Sequence, residues 1–125
     1  MELRVGAYAI KAEIVNTPTS RAQGLMHREE ICENCGLLFV FPQVGRHDFW
    51  MKNTLIPLSI AFISDDGRIM KIVDMLPGSE KVYRGVEGTR YALEVRRGWF
   101  ARNRIDTGAA LQDMGTLEKF VSTVE

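Results

Sequence analysis

Apolar and polar positions alternate over Tyr8-Ala9-Ile10-Lys11-Ala12-Glu13-Ile14, placing Ile10, Ala12 and Ile14 on one side and Lys11 and Glu13 on the other. A period of two is the signature of a half-buried strand. Leu3 to Val5 can pair with it through a turn at Gly6. Gly36-Leu37-Leu38-Phe39-Val40-Phe41 is a continuous apolar run closed by Pro42, and its aromatic and branched content favours a buried strand. Leu58 to Ser64 is another apolar run. The Asp65-Asp66-Gly67-Arg68 segment after it carries tight-hairpin chemistry, an Asp-Gly pair in which both central residues take positive φ. Leu58–Ser64 and Arg68–Met75 should therefore pair antiparallel. Tyr91-Ala92-Leu93-Glu94-Val95 resumes the alternation, with Tyr91, Leu93 and Val95 on one face and Glu94 on the other.

Helical signals are fewer. Thr17 can accept a hydrogen bond from a free first-turn amide, and Pro18 suits the first helical position. The helix this opens should carry Ala22, Leu25 and Met26 on one side, with Arg21 and Arg28 nearby, and end before Cys32. Pro77 to Thr89, rich in glycine and charge, reads as a long surface connection. Gly98 to Arg104 suits a single helical turn, and Ala109 to Met114 a last short strand. Leu117, Phe120, Val121 and Val124 recur at helical spacing. The pattern predicts one mainly β domain over residues 1–114 and an amphipathic C-terminal helix over 115–125. That helix either docks on a monomeric domain or forms a homodimer contact.

Composition narrows the function classes. At 125 residues the chain can bury a core without a metal or disulfide staple. Sixteen basic residues balance sixteen acidic ones, which gives no reason to expect nucleic acid or an anionic membrane as partner. No run of about 18 apolar residues is present to span a bilayer. Met1 to Gly6 reads as a strand and not as an export signal, so the expected compartment is the cytoplasm, or the exterior if a leader has been removed. No nucleophile elbow, phosphate loop or dinucleotide fingerprint occurs, and neither histidine has an evident Ser and Asp to work with. No cofactor is expected.

Four segments together resemble a known family. Arg21-Ala22-Gln23-Gly24-Leu25-Met26-His27-Arg28, Gly36 to Phe41, Trp50-Met51-Lys52-Asn53-Thr54 with Ile56-Pro57-Leu58, and Leu93-Glu94 with Gly98 are similar, in order, to the blocks of the domain-of-unknown-function family 192. The resemblance spans roughly residues 8 to 114. It implies an antiparallel β-sandwich or jelly-roll-like barrel with little helix, and it carries over no activity, cofactor or catalytic residue. Three positions depart from the family pattern: Ser59 and Ser64 stand where it usually or often has Asp, and Ala109 follows Gly108 where a Gly-Asp pair is common.

If these blocks meet, Arg21, Arg28, Trp50, Lys52, Asn53 and Glu94 line one region. Guanidinium forks and an amide recognise carboxylates, phosphates or sugar hydroxyls, and an indole face suits a sugar ring. Ser59 in place of Asp would make the region more cationic. The leading expectation is a non-enzymatic binding module for a small anionic or carbohydrate-like ligand, or for a peptide. The alternative is that the arginines pair with Glu94, Asp48 or Glu29 and that Trp50 is core. Glu94, mid-strand, should be ion-paired with Arg21 or Lys52 if buried. A second expectation makes Glu94 the general acid or base of an enzyme. A third uses Cys32-Glu33-Asn34-Cys35 as a redox pair, or as a metal site with His27 and His47. A thioredoxin-type setting is missing, because a strand and not a helix follows Cys35.

Overall fold

The computed structural model describes residues 1–125. Six strands form one sheet: β1 (Glu2–Val5), β2 (Tyr8–Val15), β3 (Cys35–Gly45), β4 (Leu58–Ser64), β5 (Ile69–Met75) and β6 (Thr89–Arg96), in the spatial order β1-β2-β3-β6-β4-β5. Three helices accompany them: α1 (Pro18–Gln23), α2 (Trp99–Arg102) and α3 (Met114–Ser122). The domain is mainly β, as the alternation implies. The antiparallel sandwich or jelly roll gives way to a single mixed sheet, in which β2 and β3 run parallel and the other pairs antiparallel. Parallel neighbours need a long crossover, and the segment from Asn16 to Asn34, containing α1, supplies it.

The sheet curls into a half-barrel whose two edges are tied by one segment. Gly6 N–H donates to Ala110 O and Gln112 N–H to Arg4 O on the β1 side, while Ile69 N–H donates to Ala109 O and Leu111 N–H to Gly67 O on the β5 side. This is the segment expected as a short last strand. It makes isolated bridges only, because it spans two edges and does not run along either.

All six strands feed one core on the concave face, from Leu3 and Ile10 through Leu38, Leu93 and Ala61 to Ile69. Trp99 and Phe100 of α2, Leu111 of the segment that ties the edges, and Leu117 of α3 close it. Phe120, Val121 and Val124 pack against the same cluster, so the apolar stripe of α3 is used within the chain itself. A second core lies on the opposite face, built from Leu37, Phe39, Ile60, Phe62 and Ala92 under Leu25, Met51, Ile56 and Tyr83 of the connections. Burial of both faces explains why β4 is apolar along nearly its whole length.

Local chemistry follows the sequence closely in places. Thr17 caps α1 by accepting from Ser20 N–H at 3.1 Å, with Pro18 at the first turn. The helix stops at Gln23, earlier than its apolar spacing suggests, because Gly24 takes φ 48°; Leu25 and Met26 lie in the turns beyond. The β4–β5 hairpin forms as expected, but only Gly67 of its loop has positive φ, at 86°. Ser64 N–H donates to Arg68 O and Gly67 N–H to Ser64 O, a three-residue loop ending in a left-handed glycine instead of a two-residue turn. β3 runs past Pro42 to Gly45, and the proline falls in a pairing irregularity between Val40 and Gly45 where no ladder donor is required.

Ser59 lies on the concave face, in register with Val95, whereas Glu94 is in register with Ile60 on the other face. Position 59, where the resemblance leads one to expect Asp, therefore lies across the sheet from Glu94 and does not line its cavity. Ser59 Oγ donates to Asp74 at 2.6 Å and accepts from Gly98 N–H at 3.0 Å, joining β4, β5 and the start of α2. Ser59→Ala removes the buried acceptor of the Gly98 N–H, while Asp74, more than half exposed and 3.7 Å from Arg97, keeps water and its ion pair; unfolding stability is expected to fall by about 1 kcal/mol, read from urea denaturation. Stability unchanged within about 0.3 kcal/mol would show the junction to be held by its packing alone.

Candidate functional site

Residues of all four sequence blocks meet on the convex face. α1 and the turns after it are tied to the 50–54 loop by His27 N–H donating to Asn53 O at 2.9 Å, and both residues sit at positive φ to allow it. Beneath them run β3 and β6. A cavity of about 270 Å³ lies between these elements, bordered by Arg21, Gln23 and Met26 above, Asp48, Phe49, Trp50 and Thr54 at the side, and Phe39, Phe41 and Glu94 below.

Its apolar wall is an aromatic cluster. Phe39 and Phe41, two residues apart on β3, point the same way; Phe49 meets Phe39 edge-on at 5.1 Å and Phe41 at 6.1 Å between centroids. The His47 ring stacks on Phe41 at 3.7 Å. Such rings offer both apolar area and a face suited to C–H groups.

Glu94 forms the polar floor. It stands mid-strand in β6 between Leu37 and Ile60, and only 5% of it is exposed. Its carboxyl has no ion-pair partner: the cations expected to neutralise it are engaged elsewhere. Arg21 donates to Val40 O and Glu125 O and lies over the Phe41 ring, Arg28 forks onto Glu13 at 2.9 and 3.1 Å, and Lys52 lies over the Trp50 ring. With no compensating charge, burial pushes the Glu94 carboxyl up to about 8, so it is mostly protonated at neutral pH. It is not sealed in, since no fully enclosed side-chain oxygen lacks a hydrogen bond and Glu94 makes none. Its oxygens therefore touch the cavity.

The Thr54 hydroxyl is in the same position, buried at the cavity wall without an intramolecular partner. Asp48, by contrast, is committed, accepting from Gly85 N–H at 2.9 Å and pairing with Arg46 at 3.2 Å. Burial lowers the Arg21 guanidinium from its ordinary value, and the Glu125 carboxylate opposes that shift.

Of the residues singled out in the sequence, Arg21, Trp50 and Glu94 border the cavity; Arg28, Lys52 and Asn53 do not. Trp50 is half exposed and so is not core. Phe39, Phe41, Phe49 and Thr54 are the residues that sequence reasoning passed over. Phe39 and Phe41 share the side of β3 that faces Glu94's side of β6, which the period-two pattern alone could have shown. Cys32, Cys35, His27 and His47 do not gather: no group of three or more His, Cys, Asp or Glu is placed to hold a metal ion, and Cys32 is disulfide-bonded to Cys35. No helix is long and apolar enough to cross a membrane.

Fold and cavity define a class, a small domain on a curled mixed sheet with one aromatic-walled polar hollow on its convex face. The chain belongs to the DUF192 family, an uncharacterised family (Uncharacterized ACR) whose model matches residues 1–112. It is similar to a protein of unknown function from Novosphingobium aromaticivorans DSM 12444, at 30% identity and a TM-score of 0.86 over 90% of this chain and 84% of that one. It is also similar to a candidate transcription regulator from Sinorhizobium meliloti 1021, at 32% identity and a TM-score of 0.82 over 89% of each chain. No curated protein matches.

Proposed function

We propose that the chain is a small-ligand-binding module whose convex-face cavity takes a neutral, hydroxyl-bearing molecule of about the size of one sugar ring. The observation that carries this reading is the buried, unpartnered Glu94 carboxyl opening into an aromatic-walled cavity, with the unpartnered Thr54 hydroxyl beside it. A protein leaves buried polar groups without partners at a cost, and a ligand that hydrogen-bonds them recovers it. A protonated carboxyl both donates and accepts, which matches a hydroxyl better than it matches an anion. The aromatic wall supports the apolar face of such a ring. The volume lies just below the range for drug-sized ligands, which favours a small one. An anionic ligand loses its footing because Arg21 and Arg28 are spent on internal contacts.

A thermal-shift screen of neutral monosaccharides against their uronic acids and phosphates tests this at pH 6.5. Neutral members are expected to raise the melting temperature, and Glu94→Leu to weaken their binding at least about tenfold by titration calorimetry. A panel in which only the anionic members bind, or in which Glu94→Leu binds as well as the native chain, refutes the reading.

One observation favours a second reading. A carboxyl titrating near 8 is suited to proton transfer at neutral pH, so Glu94 could serve as the general acid of an enzyme acting on the same ligand. Glu94→Gln separates the two, since an amide keeps hydrogen bonding but cannot transfer a proton. Turnover of a bound neutral ligand that disappears in Glu94→Gln while binding persists selects the enzyme.

A further inference from the structure

The Cys32–Cys35 disulfide lies away from that cavity and is not explained by it. A disulfide stabilises chiefly by closing a loop, and the gain grows with loop length. This one closes a sequence separation of only 3, in a chain large enough to fold without a staple. Its loop is already held by other means. Lys11 N–H donates to Asn34 O at 2.8 Å, and the buried Trp99 indole donates to Asn34 Oδ1 at 3.0 Å. Glu33 pairs with Arg96 at 3.1 Å and Arg102 at 2.7 Å, and Cys35 N–H donates to Cys32 O at 3.2 Å. None of these contacts needs the S–S bond, so the two sulfurs stay within reach of each other once it is broken.

The bond is also accessible. It borders an open groove of about 640 Å³, with Leu25 and Ile31 as apolar lining. Cys32 is exposed, whereas Cys35 is partly covered as the first residue of β3. Lys11 is the register partner of Cys35 on the parallel strand β2, and both border the groove.

We propose that Cys32–Cys35 is a thiol–disulfide exchange site that accepts two electrons from a dithiol entering this groove. A thiolate of the dithiol attacks Cys32 Sγ, the Cys32–Cys35 bond breaks, and Cys35 leaves as a thiolate. The second thiolate of the dithiol then attacks its own sulfur in the mixed disulfide, forming the partner's disulfide and releasing Cys32 as a thiolate. Both cysteines take up a proton, so two electrons and two protons reach the pair and the dithiol is oxidised. The asymmetry of exposure assigns Cys32 as the sulfur attacked and Cys35 as the leaving group.

Dithiothreitol under native conditions, with alkylation and mass spectrometry to count free thiols, is the direct test. Complete reduction is expected without denaturant, with the melting temperature changed by less than about 3 °C because the loop keeps its other contacts. Oxidised glutathione should trap Cys32 in Cys35→Ser at least about tenfold faster than Cys35 in Cys32→Ser. A bond that opens only in denaturant, a large drop in melting temperature on reduction, or equal trapping rates in the two single-cysteine variants would overturn the proposal.

Discussion

Between pH 4.5 and about 8 the stability of the native chain is expected to fall by on the order of 3 to 5 kcal/mol relative to Glu94→Gln. The cause is the floor of the cavity. Below 4.5, the ordinary value, Glu94 is protonated in both folded and unfolded chains and affects neither. As pH rises above it, the unfolded chain releases this proton while the folded one keeps it, so the unfolded state gains. The loss continues until the folded carboxyl itself ionises near 8 and then levels off. Other groups contribute to the profile of each protein, so the quantity to read is the difference between native and variant in urea unfolding at pH 5 and pH 8.5. Parallel profiles would mean that Glu94 finds a charge partner or water when folded, and the cavity would lose the feature that defines it. A neutral ligand hydrogen-bonded to the protonated carboxyl should extend the stable range upward in pH, as binding to one protonation state requires.

Gly85→Ala is expected to cost about 3 kcal/mol, the upper end of what forced overpacking produces. A Cβ on Gly85 would lie 2.1 Å from the His47 carbonyl oxygen and 3.0 Å from its carbon, and both are backbone. The chain cannot yield by rotating a side chain. The segment 46–50 must shift, and with it the His47 ring stacked on Phe41 and the Asp48 carboxylate that accepts from Gly85 N–H. Phe49 and Trp50 on the same segment border the cavity, so any ligand affinity should fall with stability. Gly45→Ala is the control, because a Cβ there meets nothing within 4 Å and its φ is not positive. Unfolding measurements on both variants suffice. Equal stabilities would mean that the 46–50 segment is free to move, and that its pairing with Tyr83 through Phe49 does not hold it.

The strands were legible because alternation reports directly on which side of a pleat is covered. Ile10 and Ala12 against Lys11 and Glu13, and Leu93 against Glu94, fall on the faces that their spacing requires. The cap at Thr17 and the α2 turn were equally local. Pairing was not legible. The stacked sheets that the family resemblance implied are replaced by one sheet whose two sides are covered by connections and short helices. The parallel β2–β3 pair depends on where a long crossover lands, which no local pattern records.

The site divides in the same way. That Arg21, Trp50 and Glu94 would approach one another could be anticipated from the ordered blocks. That Arg21 would turn to Val40 O and Glu125 O, leaving Glu94 alone, could not, since pairing is a competition among all acceptors within reach of a long side chain.

The amino-acid order by itself determined a mainly β domain, the faces of its strands, the start of α1, the apolar stripe of α3 and the residue types available for chemistry. Periodicity and capping act over a few residues, so they are written locally. Only the tertiary structure decided that the sheet is single and mixed, that Ser59 lies on the face away from Glu94, and that a carboxyl is buried without a cation. Those are outcomes of distances between segments far apart in the chain, and burial acquires its electrostatic consequence only when every neighbour is in place.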